Sequence, residues 1–191
     1  MFIGHLPAGY LWTRMLLSNQ FKTESSTKSN GRLMALGLLG SLLPDLDMLY
    51  FYLIDDRQYL HHGYWTHIPL FWLALFGLVL AGGAVLRQPS VLPAAAIFFS
   101  NVFIHLGLDT IVGKVRWLAP FSSHDFVMFD VPARYGWWVW NFVFHWTFLF
   151  EITIVFAAVV TLVNSRRTRG GEKSSQERLD QPGATKEVLP S

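Results

Sequence analysis

The chain has 191 residues, 52% of them hydrophobic, 16% aromatic and only 15% charged; an average soluble domain carries about 25% charged residues, so a disordered chain is excluded and a soluble monomer is disfavoured. Cysteine is absent, which excludes disulfides and thiolate sites and leaves histidine and carboxylate as the available metal ligands. The net charge of +2 comes from the tail, because residues 164–191 hold six of the fifteen Lys/Arg and four of the thirteen Asp/Glu, so it gives no argument for a nucleic-acid partner.

In chain order, residues 6–18 (LPAGYLWTRMLLS) predict a short apolar helix with Pro7 suited to its first turn. It is too short to span a bilayer easily. No basic leader or small-residue cleavage site precedes it, so a removable signal peptide is not expected. Residues 33–54 predict a span that is apolar apart from Asp45 and Asp47, with Pro44 disturbing it locally. No charge falls between Arg57 and Arg87, and 68–86 predicts a second span. Residues 92–112 and 139–163 predict two more, the last carrying Glu151 as its one formal charge. A spanning helix needs about 20 apolar residues. The expected fold is therefore an all-α integral membrane helical bundle with about four transmembrane helices and a short N-terminal helix, forming a membrane-embedded domain over 1–163. Residues 164–191, rich in Ser, Gly, Gln and charge, read as a disordered tail.

Lys22, Lys28 and Arg32 precede the first span, Arg87 lies between the second and third, and Arg166, Arg167 and Arg169 follow the last. The positive-inside rule puts all three groups, and the tail, in the cytoplasm. The 55–67 and 113–138 connections then lie on the outer face.

An ionisable residue at membrane depth is costly and usually faces a bundle interior. Asp45 and Asp47 lie in Leu43-Pro44-Asp45-Leu46-Asp47, and His61, His62 and His67 in His61-His62-Gly63-Tyr64-Trp65-Thr66-His67. His105 and Asp109 are four apart and share a helix face. Measured from the inner face at a rise of 1.5 Å per residue, Asp45 and His105 both lie roughly 20 Å across, and His145 roughly 27 Å. His61 to His67 lie in the outer connection, and His5 joins them if 6–18 runs inward. Imidazoles and carboxylates gathered at one level suit a zinc-type divalent metal, with further carboxylates available as a second ligand set or a base. A structural polar network is the plainer alternative. His124, Asp55, Asp56, Asp125 and Asp130 read as solvated loop residues, Glu151 as a partner for a neighbouring helix, and Trp137, Trp138 and Trp140 as an interfacial aromatic belt. His145 stays open between packing and ligation.

At these residues the chain resembles the YdjM-like membrane-bound metal-dependent hydrolases. The resemblance runs through Gly4-His5-Leu6-Pro7-Ala8-Gly9, Gly40-Ser41-Leu42-Leu43-Pro44-Asp45-Leu46-Asp47, His62-Gly63-Tyr64-Trp65-Thr66-His67-Ile68 and His105-Leu106-Gly107-Leu108-Asp109-Thr110. That family's HRGxTHS-like segment here lacks the basic residue and the final Ser, marking a divergent branch. The order of His5, Asp45 or Asp47, His61 or His62, and His105 with Asp109 is also distantly similar to zinc phospholipase C and the single-strand nucleases. Their second helical pair is imperfect here, because Glu151 follows His145 by six residues.

The resemblance implies a hydrolase in a bacterial inner membrane, with a divalent metal, zinc by chemistry. The expected ligands are His5, Asp47, His61, His62, His67, His105 and Asp109, with Asp45 as catalytic base or bridging ligand. The expected partners are the bilayer and a phospholipid or lipid-linked phosphoester. The alternatives are a membrane metal-binding or transport protein, whose ligands would be spread along a route, and a structural scaffold.

Overall fold

A computed structural model describes residues 3–19, 27–54 and 63–179. They form helices α1 (His5–Asn19), α2 (Thr27–Leu42), α3 (Asp47–Leu53), α4 (Pro69–Val85), α5 (Val91–Val112), α6 (Trp138–Val143) and α7 (Phe148–Leu179), with 3-10 turns at Leu43–Leu46 and Trp65–His67. The fold is all-helical, and three helical stretches are long and apolar enough to cross a membrane: Ser29–Leu53, Val91–Val112 and Phe148–Thr168. The first runs through α2, the 3-10 turn and α3. The apolar α4 is shorter, at 17 residues, the lower end of what a bilayer requires. Together they give the bundle of about four spans expected from the sequence.

α5 is the axis, packing against α1, α2 and α4, while α1 also packs on α2 and α7. The α4–α5 side is apolar: Trp72, Ala95, Phe99, Val102 and Leu106 form a buried cluster. The α1–α2–α5 side is held differently, by small and polar residues. In lipid, helices gain little from hydrophobic contact with one another, so close backbone approach and interhelical hydrogen bonds carry more of the association. A Cβ at Gly40 would collide with the Phe98 carbonyl of α5, and one at Gly9 would stand 2.5 Å from Ser41 Cβ. Asn101 Nδ2 donates to Thr13 Oγ1 at 3.0 Å, and Trp12 Nε1 donates to Ser100 Oγ at 2.9 Å.

Two elements depart from the expected boundaries. The 139–163 span is divided: α6 ends at Val143 and α7 begins at Phe148. The interrupting residues are dense in aromatics, which are poor helix formers, and polar groups supply competing local bonds. His145 Nδ1 lies 2.8 Å from Thr147 Oγ1, and Asn141 Oδ1 accepts from the backbone of Arg134 (2.8 Å) and Tyr135 (2.7 Å). α7 then continues to Leu179, well past residue 164.

The connection after α5 folds back onto it. Met128 N donates to Thr110 O (2.8 Å), Phe129 N to Ile111 O (2.9 Å) and Trp117 Nε1 to Thr110 Oγ1 (2.7 Å). The two backbone bonds satisfy helix-end carbonyls that would otherwise lack partners. They also close the end of the bundle where α5 carries its ionisable residues.

Candidate metal centre

The proline in Leu43-Pro44-Asp45-Leu46 cannot donate a backbone hydrogen bond, and the helix tightens there into a 3-10 turn with Pro44 in its first turn. The turn sends its two carboxylates in different directions. Asp45 points into a group with His67, His105 and Asp109, whose ligand atoms all lie within 4.8 Å of one another. Asp47 points behind it, onto the far nitrogen of His67, with Oδ2 2.7 Å from His67 Nδ1. His105 and Asp109 come from successive turns of α5, and His67 from the 3-10 turn that leads into α4 at Pro69.

Within the group, His105 Nε2 is 3.0 Å from Asp109 Oδ2 and 3.5 Å from Asp45 Oδ1. His67 Nε2 is 3.4 Å from Asp109 Oδ2 and 3.8 Å from Asp45 Oδ1. Ligands held 2.0–2.1 Å from a tetrahedral ion are separated from each other by about 3.4 Å. The four measured separations bracket that value, so the group could hold a metal ion.

The tautomers point the same way. His105 Nδ1 is 2.8 Å from the Ser41 carbonyl, which can only accept, so Nδ1 carries a proton. Nε2 faces two carboxylates, and in the neutral ring it is a lone pair with nothing to donate to them. His67 is oriented in the same way, with Nδ1 on Asp47 Oδ2 and Nε2 turned toward Asp109 and Asp45. An acceptor facing carboxylates in a buried site requires a cation between them, whether proton or metal. Burial pushes the His67 pKa down, but the Asp109 and Asp47 carboxylates outweigh it and hold it above the ordinary imidazole value. The pocket attracts positive charge.

His5 adjoins this group. Its Nε2 is 3.0 Å from Asp109 Oδ1, and its ring stacks on His105 with centroids 3.8 Å apart. Asp109 thus faces His67 and His105 with one oxygen and His5 with the other. Glu151, at the start of α7, is buried and accepts from the backbone of Ile3 (2.6 Å) and Gly4 (3.1 Å), so it fixes the strand of chain that delivers His5. Glu151 is therefore placed on the N-terminal backbone, while His145 bonds within its own turn. His61 and His62 lie outside the described residues.

Three supporting groups were invisible as motifs. The Ser41 carbonyl orients His105. Thr66 Oγ1 donates to Asp47 Oδ2 at 2.5 Å, and Trp72 Nε1 donates to the Thr66 carbonyl at 2.7 Å. Ser41 and Thr66 stand inside the sequence motifs without being singled out there, and Trp72 lies outside them.

Fold and site together define an integral membrane protein with a buried His/Asp group that could bind a metal. A family model described as YdjM inner membrane protein matches residues 1–174. The chain belongs to that family. No curated protein and no solved structure matches it.

Proposed function

We propose that this chain is a membrane-embedded, metal-dependent hydrolase acting on phosphoesters, with His67, His105 and Asp109 as its ligand set and Asp45 beside them as the base, leaving a fourth position for water. One observation carries the reading: two imidazoles with their Nδ1 protons held elsewhere turn their Nε2 lone pairs toward the same two carboxylates. Both Nε2 atoms stand from Asp45 and Asp109 at separations that suit ligands of one ion.

A zinc-type divalent ion, when bound, lowers the pKa of a water and polarises a phosphoester oxygen. The chain's own residues prepare for this. Ser41 and Asp47 fix the two imidazole tautomers, which raises ligand basicity. His5 holds the outer oxygen of Asp109. The three ligands are closed off, while Asp45 keeps 33% of its side chain exposed. Asp45 is the group an entering water meets first, and it accepts the proton released as that water attacks. All these groups lie at one level of the bundle, whereas a conduction pathway would string them along it.

The test is metal content and hydrolysis on one detergent preparation. Wild-type protein is expected to carry roughly one ion per chain, by plasma mass spectrometry, and to hydrolyse bis(p-nitrophenyl) phosphate in a manner abolished by chelation. His105→Ala and Asp109→Ala should lose both properties. A metal-free wild type that resists reloading, or variants indistinguishable from it, would overturn the reading.

A further inference from the structure

We infer that the metal centre opens sideways into the bilayer, and that its substrate is a phosphoester joined to a long apolar chain lying along the α2–α3 face. This rests on the hydrolase reading and extends it to the substrate class.

Asp45 is the one member of the His/Asp group with substantial exposure, so the opening lies where Asp45 lies. That position is within the apolar stretch Ser29–Leu53. At 1.5 Å per residue, Asp45 stands about 24 Å from the Ser29 end and about 12 Å from the Leu53 end. In a hydrocarbon core of about 30 Å, that is several ångström inside the nearer boundary, level with the first part of the lipid acyl chains. Leu39, Leu42, Leu46 and Leu49 are all exposed. Leu39 and Leu42 form an exposed stripe on α2 that leads up to the 3-10 turn holding Asp45, and Leu46 and Leu49 extend the exposed apolar surface past it.

Leu39 and Leu42 carry the stripe from Asp45 toward the middle of the membrane. A phosphate placed at Asp45 would leave its alkyl chain lying along those leucines, parallel to the lipids. A water-soluble phosphoester would have to reach the same opening through hydrocarbon. Elsewhere the group is sealed: His67, His105, Asp109 and His5 are buried, and Trp72 and Thr66 back the His67 side.

Because the chain has no cysteine, a single spin label can be placed without other changes. Leu46→Cys and Leu39→Cys, each labelled and reconstituted in phosphatidylglycerol/phosphatidylcholine vesicles, should relax several-fold more with dissolved oxygen than with a water-soluble nickel chelate. Retained metal content in the labelled protein shows that the fold survived. In parallel, wild-type protein should hydrolyse a long-chain phosphatidate with kcat/KM at least about tenfold above glycerol 3-phosphate, because remote chain binding is available only to the first. Greater nickel accessibility, or equal rates on the two esters, would overturn lateral entry while leaving the hydrolase standing. Oxygen-facing labels with no hydrolysis of either ester would overturn the substrate class, and the hydrolase reading with it where bis(p-nitrophenyl) phosphate is also left intact.

Discussion

Asp45 and Asp47 are two residues apart and chemically identical, yet they do different work. Asp45 joins the His/Asp group, and Asp47 sits behind His67, holding its Nδ1 proton. Outer carboxylates of this kind typically change metal affinity by about 10–100-fold. Asp47→Asn keeps the size of the side chain but weakens the hold on His67. We expect it to fold and bind metal with an affinity reduced by roughly that range, read by competition with a chromophoric chelator. On the proposed hydrolase reading, Asp45→Asn should lose hydrolysis more completely, because it removes the proposed proton acceptor. The ligands must be deprotonated to bind, so occupancy should fall as pH falls and recover when it is raised; mass spectrometry after dialysis across pH 8 to 5 reads this. A site whose occupancy ignored pH would not be made of imidazole and carboxylate. The sequence supplied the residue types and their common level, since His105 and Asp109 share a face by spacing alone. It made Asp47 a ligand and Asp45 a base or bridging ligand, whereas the structure places Asp45 in the group and Asp47 behind His67. That distinction depends on a local 3-10 turn, and nothing in the pattern Leu-Pro-Asp-Leu-Asp says which carboxylate turns inward.

At the scale of elements, the spans were legible because charge is excluded over such long intervals. Where polar and aromatic residues mix, as in Trp137–Thr147, hydropathy alone merged what the structure divides into α6 and α7. The glycines of α2 were legible only as small residues, and their purpose appears in the packing. Gly40 lets α2 approach the Phe98 carbonyl, and the same contact presents the neighbouring Ser41 carbonyl to His105. Gly40→Ala should force α2 and α5 apart, costing about 1–3 kcal/mol, the usual range for overpacking. The loss should appear as a lower melting temperature in detergent and, because His105 loses its anchor, as weaker metal retention. A variant with wild-type melting and metal content would show that the α2–α5 contact does not set the site. Glu151→Gln examines a different element. It weakens the clamp on Ile3 and Gly4, where bonds to a charged acceptor are worth about 1.5–3 kcal/mol. The N-terminal segment should then become sensitive to limited proteolysis, with α5 still intact.

Across the whole molecule, the ionisable residues separate by type. The start of α1, the proline turn after α2, the start of α4, the later turns of α5 and the start of α7 meet around the candidate site, tied by the His5–Asp109 and Glu151–Gly4 contacts. Helix direction then carries the α4–α5 turn, with Arg87, and the far end of the α7 span, with Arg166 and Arg167, to the opposite end of the bundle. Arg32, near the start of α2, lies at that end too. The positive-inside rule reads this basic end as cytoplasmic, which would put the metal centre at the outer boundary of the inner membrane. Connectivity makes a claim independent of that rule: residues 88 and 168 must report the same side, and residue 123, in the connection after α5, the other. Gln88, Thr168 and Ser123 are all exposed, and the chain has no cysteine to remove. A membrane-impermeant maleimide applied to intact spheroplasts should therefore label Ser123→Cys but not Gln88→Cys or Thr168→Cys, and permeabilisation should make all three reactive. The reverse pattern would invert the protein and move the site to the cytoplasmic leaflet, leaving the bundle unchanged. Labelling of Gln88→Cys without Thr168→Cys would break the bundle itself, because α4, α5 and α7 could not then run as the structure has them.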